Sequence, residues 1–284
     1  MTPKDLAGAL AATGRISIPY RDPLSLERAL VLECYRPASH RPASPIVIVQ
    51  HGQSRNGREY CDAWIPTADE AGLLIVAITF PKEAWPDAAV YNNGNVRDAA
   101  GTLRPRESWS LAIPGRVFDL LREVGVTTRP QAHLWGHSAG GQFVHRLLAT
   151  QSHDMFASVG AANPGWYTLP TLHLAYPNGL GGIGLAERDV VRLLAYPLTI
   201  FAGDHDIDSA GENLPNHDEA RAQGPHRFAR AHFYLQRGRE EAERLGVPCR
   251  WQLITVPGIG HQGMRMSAFA AKYWFAPADL WRGF

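Results

Sequence analysis

The segment of this chain with the most direct chemical reading is Gly136-His137-Ser138-Ala139-Gly140, a serine with a glycine two positions to either side. An apolar run, Ala132 to Trp135, precedes it and a helix-forming segment, Gln142 to Thr150, follows, which predicts a strand, a sharp turn and a helix. A serine at such a turn takes a strained backbone conformation, and the glycines let strand and helix pass each other without side-chain clashes. The hydroxyl then stands clear of the sheet. Serine is a weak nucleophile near neutral pH, so it needs a base to take its proton, an acid to orient that base, and donors to hold an oxyanion.

The rest of the chain offers candidates for each part. Pro197 to Ala202 reads as a buried strand, followed by Gly203-Asp204-His205-Asp206-Ile207-Asp208. Arg250 to Val256 alternates as a strand, followed by Pro257-Gly258-Ile259-Gly260-His261-Gln262-Gly263. Ile46 to Gln50 is another apolar strand, ending in His51-Gly52-Gln53-Ser54. Among twelve histidines, His261 is distinguished by its place in a loop directly after a strand. His133 and His137 flank the turn and are expected to pack, whereas His217, His226 and His232 lie in an Arg-rich helical stretch and are expected to be solvated.

Taken together, these segments resemble the α/β-hydrolase superfamily from about Ser44 to Phe275. The resemblance implies an α/β fold with a mostly parallel central sheet, helices on both faces and a short cap insertion. It also implies a serine, acid, histidine order, with Ser138 as nucleophile and His261 as base. The superfamily pattern Gly-x-x-Asp assigns the acid to Asp206 and leaves Asp204 and Asp208 to loop capping. His51-Gly52-Gln53 resembles the oxyanion loop after the third strand, so the amides of Gln53 and Ala139 become the expected oxyanion donors. More finely, Asn163-Pro164-Gly165-Trp166-Tyr167, the Gly-x-x-Asp-x-Asp loop and Gly258-Ile259-Gly260-His261 resemble the polyhydroxyalkanoate-depolymerase and feruloyl-esterase branch. The implied activity is hydrolysis of a carboxylic ester, bulky or polymeric, through an acyl-enzyme. The same triad cleaves amides, including peptide-like polymers, and some folds of this type are ligand-binding proteins without turnover.

The elements that must position these residues are legible in outline. Arg15 to Tyr20 and Arg28 to Tyr35 read as an edge hairpin over about 15–36, Gly57 to Ala71 as a helix, and Leu73 to Thr79 as a strand buried on both faces. Glu107 to Val124 reads as a helix kinked at Pro114, and Phe156 to Ala162 as a further strand. With 284 residues, 45% of them hydrophobic, a single domain over 1–284 is expected, carrying cap-like loops over about 81–105 and 163–195. Loops 81–105 and 163–185 both leave the carboxyl ends of strands, where ligands bind in open α/β sheets. Their aromatic residues, with Trp109 just beyond the first loop, predict an aromatic-walled substrate pocket, with Trp166, Tyr91 and Trp109 as the expected contacts beside Trp85 and Tyr167.

Other chemistries are set aside by spacing. Asp204, Asp206 and Asp208 alternate as in a calcium loop, but the sixth position is Ser209 and the twelfth Pro215. Gly179 to Gly184 matches Gly-x-Gly-x-x-Gly, yet a turn, Tyr176-Pro177-Asn178, stands where a dinucleotide site needs a strand, so a flexible loop near the site is expected instead. Cys34, Cys61 and Cys249 show no Cys-x-x-Cys spacing and read as separate reduced thiols. No metal and no cofactor is therefore expected. A net charge of +1 with no basic run argues against nucleic acid and acidic membrane surfaces as partners. No apolar stretch approaches the ~20 residues that span a bilayer. The start, Met1 to Leu6, does not read as a secretory signal, and cytoplasmic residence is the expectation.

Overall fold

A computed structural model describes residues 3–151, 154–211 and 213–276. The parts of the 1–284 expectation, and of the reading of Met1-Thr2, that fall elsewhere lie outside the described residues.

The strands are β1 (Gly14–Arg21), β2 (Ala29–Arg36), β3 (Ile46–Gln50), β4 (Leu74–Thr79), β5 (Ala132–His137), β6 (Phe156–Ala162), β7 (Thr199–Gly203) and β8 (Gln252–Val256). They form one sheet in the order β1-β2-β4-β3-β5-β6-β7-β8. β1 and β2 pair antiparallel, as does β2 with β4, and every pairing from β4 through β8 is parallel. The helices are α1 (Pro3–Ala11), α2 (Gly57–Asp62), α3 (Ile65–Ala71), α4 (Ile113–Glu123), α5 (Ala139–Thr150), α6 (Glu187–Ala195), α7 (Asp218–Arg221), α8 (Arg227–Leu245) and α9 (Gly263–Phe275).

Alternation along the strands divides the interior into two layers. Val47, Val49, Ile75, Ala77, Trp135 and Phe201 meet Tyr60 and Trp64 and, from α9, Met266 and Ala270 on one face. Ile46, Ile48, Leu74, Val76, Leu134 and Ile200 meet Phe118 of α4, Phe143 of α5, Leu193 of α6 and Tyr234 of α8 on the other. Burial on both faces is why β3 and β4 read as unbroken apolar runs.

Four expectations are corrected. The helix expected over 57–71 is two helices, because Trp64 turns into the core between them and Pro66 sits at the start of α3, where its missing N–H costs no hydrogen bond. The helix expected from Glu107 starts at Ile113 after two single 3₁₀ turns; Pro114 occupies its first turn and opens the helix rather than kinking it. The cap-like stretch 163–195 ends before Glu187, since α6 packs Val190, Leu193 and Leu194 into the core. The glycine-rich 179–184 segment is also a built turn rather than a flexible one. Leu180 and Ile183 are buried, and a Cβ at Gly181 would stand 2.4 Å from the Leu172 carbonyl oxygen.

Burial also sets a pH dependence of stability. His51, His137 and His145 are buried away from water, which disfavours the charged ring, and His51 is pushed down to about 3. Unfolding frees these rings to protonate near their ordinary value, so below about pH 6.5 the unfolded chain binds more protons than the folded one. Stability is full above that value and falls as pH is lowered through it, by up to about 1.4 kcal/mol per buried histidine per pH unit. The melting temperature is expected to drop between about pH 7 and about pH 5. A flat or rising melting curve over that range would contradict the burial.

Candidate active site

The site is assembled where the parallel strands end. Ser138 follows β5 at once, with φ 57° and ψ −118°, and its amide donates to the Ala162 carbonyl at the end of β6 (2.9 Å). No room exists there for larger neighbours: a Cβ on Gly136 would lie 2.1 Å from the Gly140 carbonyl oxygen, and one on Gly140 would lie 2.2 Å from that of Gln50. The turn can form only with glycine at both places. It leaves the Ser138 hydroxyl above the sheet at the N-terminus of α5.

Ser138 Oγ–H donates to His261 Nε2 (3.0 Å), and His261 Nδ1–H donates to Asp206 Oδ2 (2.8 Å). The second bond fixes the tautomer, leaving Nε2 as the acceptor that faces the serine. Asp206 is only 2% exposed. Its charge is balanced by Arg227 at the start of α8 (Nη1 to Oδ1, 3.6 Å), and Asn163 Nδ2 donates to the same Oδ2 that His261 uses (2.6 Å). Asp204 and Asp208 are spent locally, accepting from the amides of Gly258 (2.7 Å) and Ala210 (2.9 Å).

Asn163 and Arg227 were not singled out by the sequence reading. Asn163 stands at the end of β6 with φ 43°, its Oδ1 accepts from the Gly203 amide of β7 (3.1 Å) and its Nδ2 also donates to the Gly260 carbonyl in the loop after β8 (3.3 Å), so one side chain joins three strand ends. An asparagine directly after a buried strand was a visible signal. Arg227 left none, because it reaches Asp206 from a helix beyond it in the chain.

Gln53 and Ala139 both line the cleft at Ser138, and no acceptor among the described residues takes either backbone amide. His51 holds the loop in that posture. Its Nδ1–H donates to the Gly52 carbonyl (2.9 Å) while its Nε2 accepts from the Phe80 amide (2.9 Å). Because the carbonyl and the following N–H of a trans peptide point oppositely, anchoring Gly52 O turns the Gln53 N–H the other way. His137 packs its ring against that of His261 (centroids 4.7 Å apart), and its Nδ1 accepts from the Tyr60 hydroxyl (2.8 Å).

Two open lobes meet at Ser138. The first, about 320 Å³, is walled by Arg55, Tyr91, Gln142 and Trp166. The second, about 330 Å³, is walled by Tyr60, His261, Met264 and Arg265. Of the aromatic residues expected to contact substrate, Tyr91 and Trp166 line the first lobe. Trp109 does not, and that expectation is corrected: it is 1% exposed, donates from Nε1 to the Arg104 carbonyl (2.9 Å) and belongs to the core. Trp85 and Tyr167 are likewise core residues, since a large flat ring next to a sheet gains more by burial than by facing water. Among the described residues no cluster of His, Cys, Asp or Glu is arranged to hold a metal ion, and no helix is long and apolar enough to cross a membrane. Cys34, Cys61 and Cys249 are free thiols.

Fold and site geometry are those of an α/β-hydrolase. No protein-family model and no curated protein matches the chain. Among solved structures, LpqC, a poly(3-hydroxybutyrate) depolymerase from Bordetella parapertussis, is 48% identical with a TM-score of 0.93 and 99% coverage of both chains. Poly(aspartic acid) hydrolase-1 from Sphingomonas sp. KT-1 is 34% identical with a TM-score of 0.85, over 92% of this chain and 98% of its own. An S-formylglutathione hydrolase from Agrobacterium tumefaciens shares the fold at 15% identity, with a TM-score of 0.61 over 93% of this chain and 94% of its own. The chain belongs to the α/β-hydrolase superfamily of serine hydrolases and is an enzyme of the esterase class.

Two substitutions test the arrangement. Asp206→Asn is expected to lower kcat about ten-thousandfold, while Asp204→Asn and Asp208→Asn stay within several-fold of wild type; equal losses at all three would refute the assignment of the acid. Asn163→Ala removes one hydrogen bond to a charged group and should lower kcat about tenfold to a hundredfold with little change in KM, as read by steady-state ester hydrolysis.

Proposed function

We propose that this enzyme hydrolyses carboxylic esters, bulky or polymeric, through an acyl-enzyme on Ser138. The observation that carries this reading is the Ser138–His261–Asp206 relay lying open at the junction of two lobes. In the first half-reaction the Ser138 oxygen attacks the ester carbonyl as His261 Nε2 takes its proton. The resulting imidazolium is stabilised by Asp206, whose orientation Asn163 and Arg227 maintain. The carbonyl oxygen becomes an oxyanion within reach of the free amides of Gln53 and Ala139, and one such donor is worth about 3 kcal/mol of transition-state stabilisation. His261 returns the proton to the departing alcohol. In the second half-reaction water repeats the sequence on the acyl-enzyme and releases the acid.

The open lobes favour a long substrate. With room on both sides of the nucleophile, a chain can lie across Ser138 and be cut internally or near an end. The relatives support a polymeric substrate, one being a poly(3-hydroxybutyrate) depolymerase and the other a poly(aspartic acid) hydrolase. The first of these, at the higher identity, favours an ester; the second keeps amide cleavage as the competing outcome.

Ser138→Ala is expected to reduce hydrolysis of a short p-nitrophenyl ester about a thousandfold or more, with an unchanged melting temperature. Wild type should also clear a poly(3-hydroxybutyrate) suspension faster than it shortens poly(aspartic acid). Retained ester hydrolysis in the Ser138→Ala protein would sink the mechanism, and the reverse polymer preference would move the enzyme to amides.

A further inference from the structure

The lobe bounded by Tyr91 and Trp166 is built around two cations, neither of which has a carboxylate within salt-bridge distance among the described residues. Arg55, in a left-handed backbone conformation (φ 61°), lays its guanidinium 3.9 Å from the centroid of the Tyr91 ring. Nη2 donates to the carbonyls of Trp85 (3.0 Å) and Asp87 (3.4 Å), but Nε and Nη1 are buried without a partner. Behind the same wall Arg146 is fully buried, 4.6 Å from the centroid of the Trp166 ring. Its partners are the Asn92 carbonyl (2.9 Å), Asn93 Oδ1 (2.8 Å), Thr168 Oγ1 (2.8 Å) and Gln142 Oε1 (3.5 Å), all neutral. Asn93 and Gln142 line the lobe; with their oxygens turned inward to Arg146, the amide NH2 ends are left for the substrate. Lys82 stands exposed on the rim. Asp87 is the one acid among the lining residues; it is exposed, its Oδ1 accepts from the Val90 amide (3.1 Å), and its charge favours the Arg55 guanidinium without making an ion-pair contact.

Burying a cation without a counter-charge in contact is costly, and an incoming anion relieves that cost. His261, which must hand its proton to the leaving alcohol, lines the other lobe, so the Arg55 lobe receives the acyl chain. We propose that the Arg55 lobe is a carboxylate-recognition subsite, and that preferred substrates are esters whose acyl chain carries a free carboxylate, bound by Arg55 with help from Lys82. This rests on the esterase reading of the same site.

The test compares p-nitrophenyl esters with and without the charge: p-nitrophenyl hexanoate against the mono-p-nitrophenyl esters of glutarate, adipate and pimelate. In wild type the best carboxylated ester should exceed the neutral one in kcat/KM by about tenfold or more, as a hydrogen bond to a charged group allows. This ratio should fall several-fold on raising salt from about 20 mM to about 0.5 M, because screening weakens partly exposed pairs. Arg55→Gln should cut the ratio about tenfold, and Arg55→Lys should retain most of it. A merely structural Arg55, tethering its loop to Tyr91, would lower both substrates together and leave the ratio unchanged, which overturns the proposal. So does a wild-type ratio near unity. Should Arg55→Gln fail to fold, the wild-type salt response decides alone, a flat ratio counting against the subsite. If wild type turns over neither ester, the esterase reading has failed, and calorimetric titration with adipate reads the subsite by itself: measurable binding supports it, no binding refutes it.

Discussion

A single buried carboxylate organises this enzyme. Asp206 is nearly sealed from water, and a charge so placed is tolerable only when every lone pair finds a donor. Arg227 supplies the counter-charge, Asn163 a neutral donor and His261 the third contact. These arrive from the start of α8, the end of β6 and the loop after β8, so satisfying Asp206 draws separate parts of the chain into one arrangement. The base then inherits its orientation from the requirement to neutralise the acid. Ser138 needs only to be presented to it, which the strained turn after β5 does.

The surroundings of the relay are tuned by burial as much as by contact. His137 lies against His261 but burial and the adjacent imidazole disfavour its charged form, so it offers a flat surface to a ring that must gain and lose a proton. His51, equally buried, acts through geometry alone, fixing the carbonyl of Gly52 and thereby the direction of the next amide. Beside these neutral rings the positive charge of the acyl lobe stands out. Arg55 rests on the Tyr91 face and Arg146 lies over that of Trp166, cation–π contacts that offset part of the cost of removing a guanidinium from water.

The loops over the sheet are anchored rather than draped. In 81–105, Trp85 and Tyr91 are buried, the Tyr91 hydroxyl donating to the His51 carbonyl (2.7 Å). On the opposite wall Arg230 reaches from α8 to the carbonyls of Gly165 and Pro215, bracing the loop that carries Trp166. The cleft thus has firm sides and an open top.

By itself the sequence determined what is local. Apolar runs marked the strands, the two glycines around Ser138 announced a turn that only they permit, and His261 was recognisable by its place after a strand, because each signal depends on neighbours within a few residues. The element ends at 57–71 and 107–124 differ from the sequence expectation because Trp64 turns inward and divides the first stretch, while Pro114, expected to kink the second, opens its helix. The choice of Asp206 over Asp204 and Asp208 was already legible through the Gly-x-x-Asp pattern, whereas tertiary structure alone decided that Trp109 serves the core while Trp166 faces the cleft, and that Asn163, Arg227 and Arg55 belong to the site. Those outcomes rest on distances between segments far apart in the chain and on the energetic cost of leaving a charge or polar atom buried without a partner. Neither quantity exists until the chain has closed on itself.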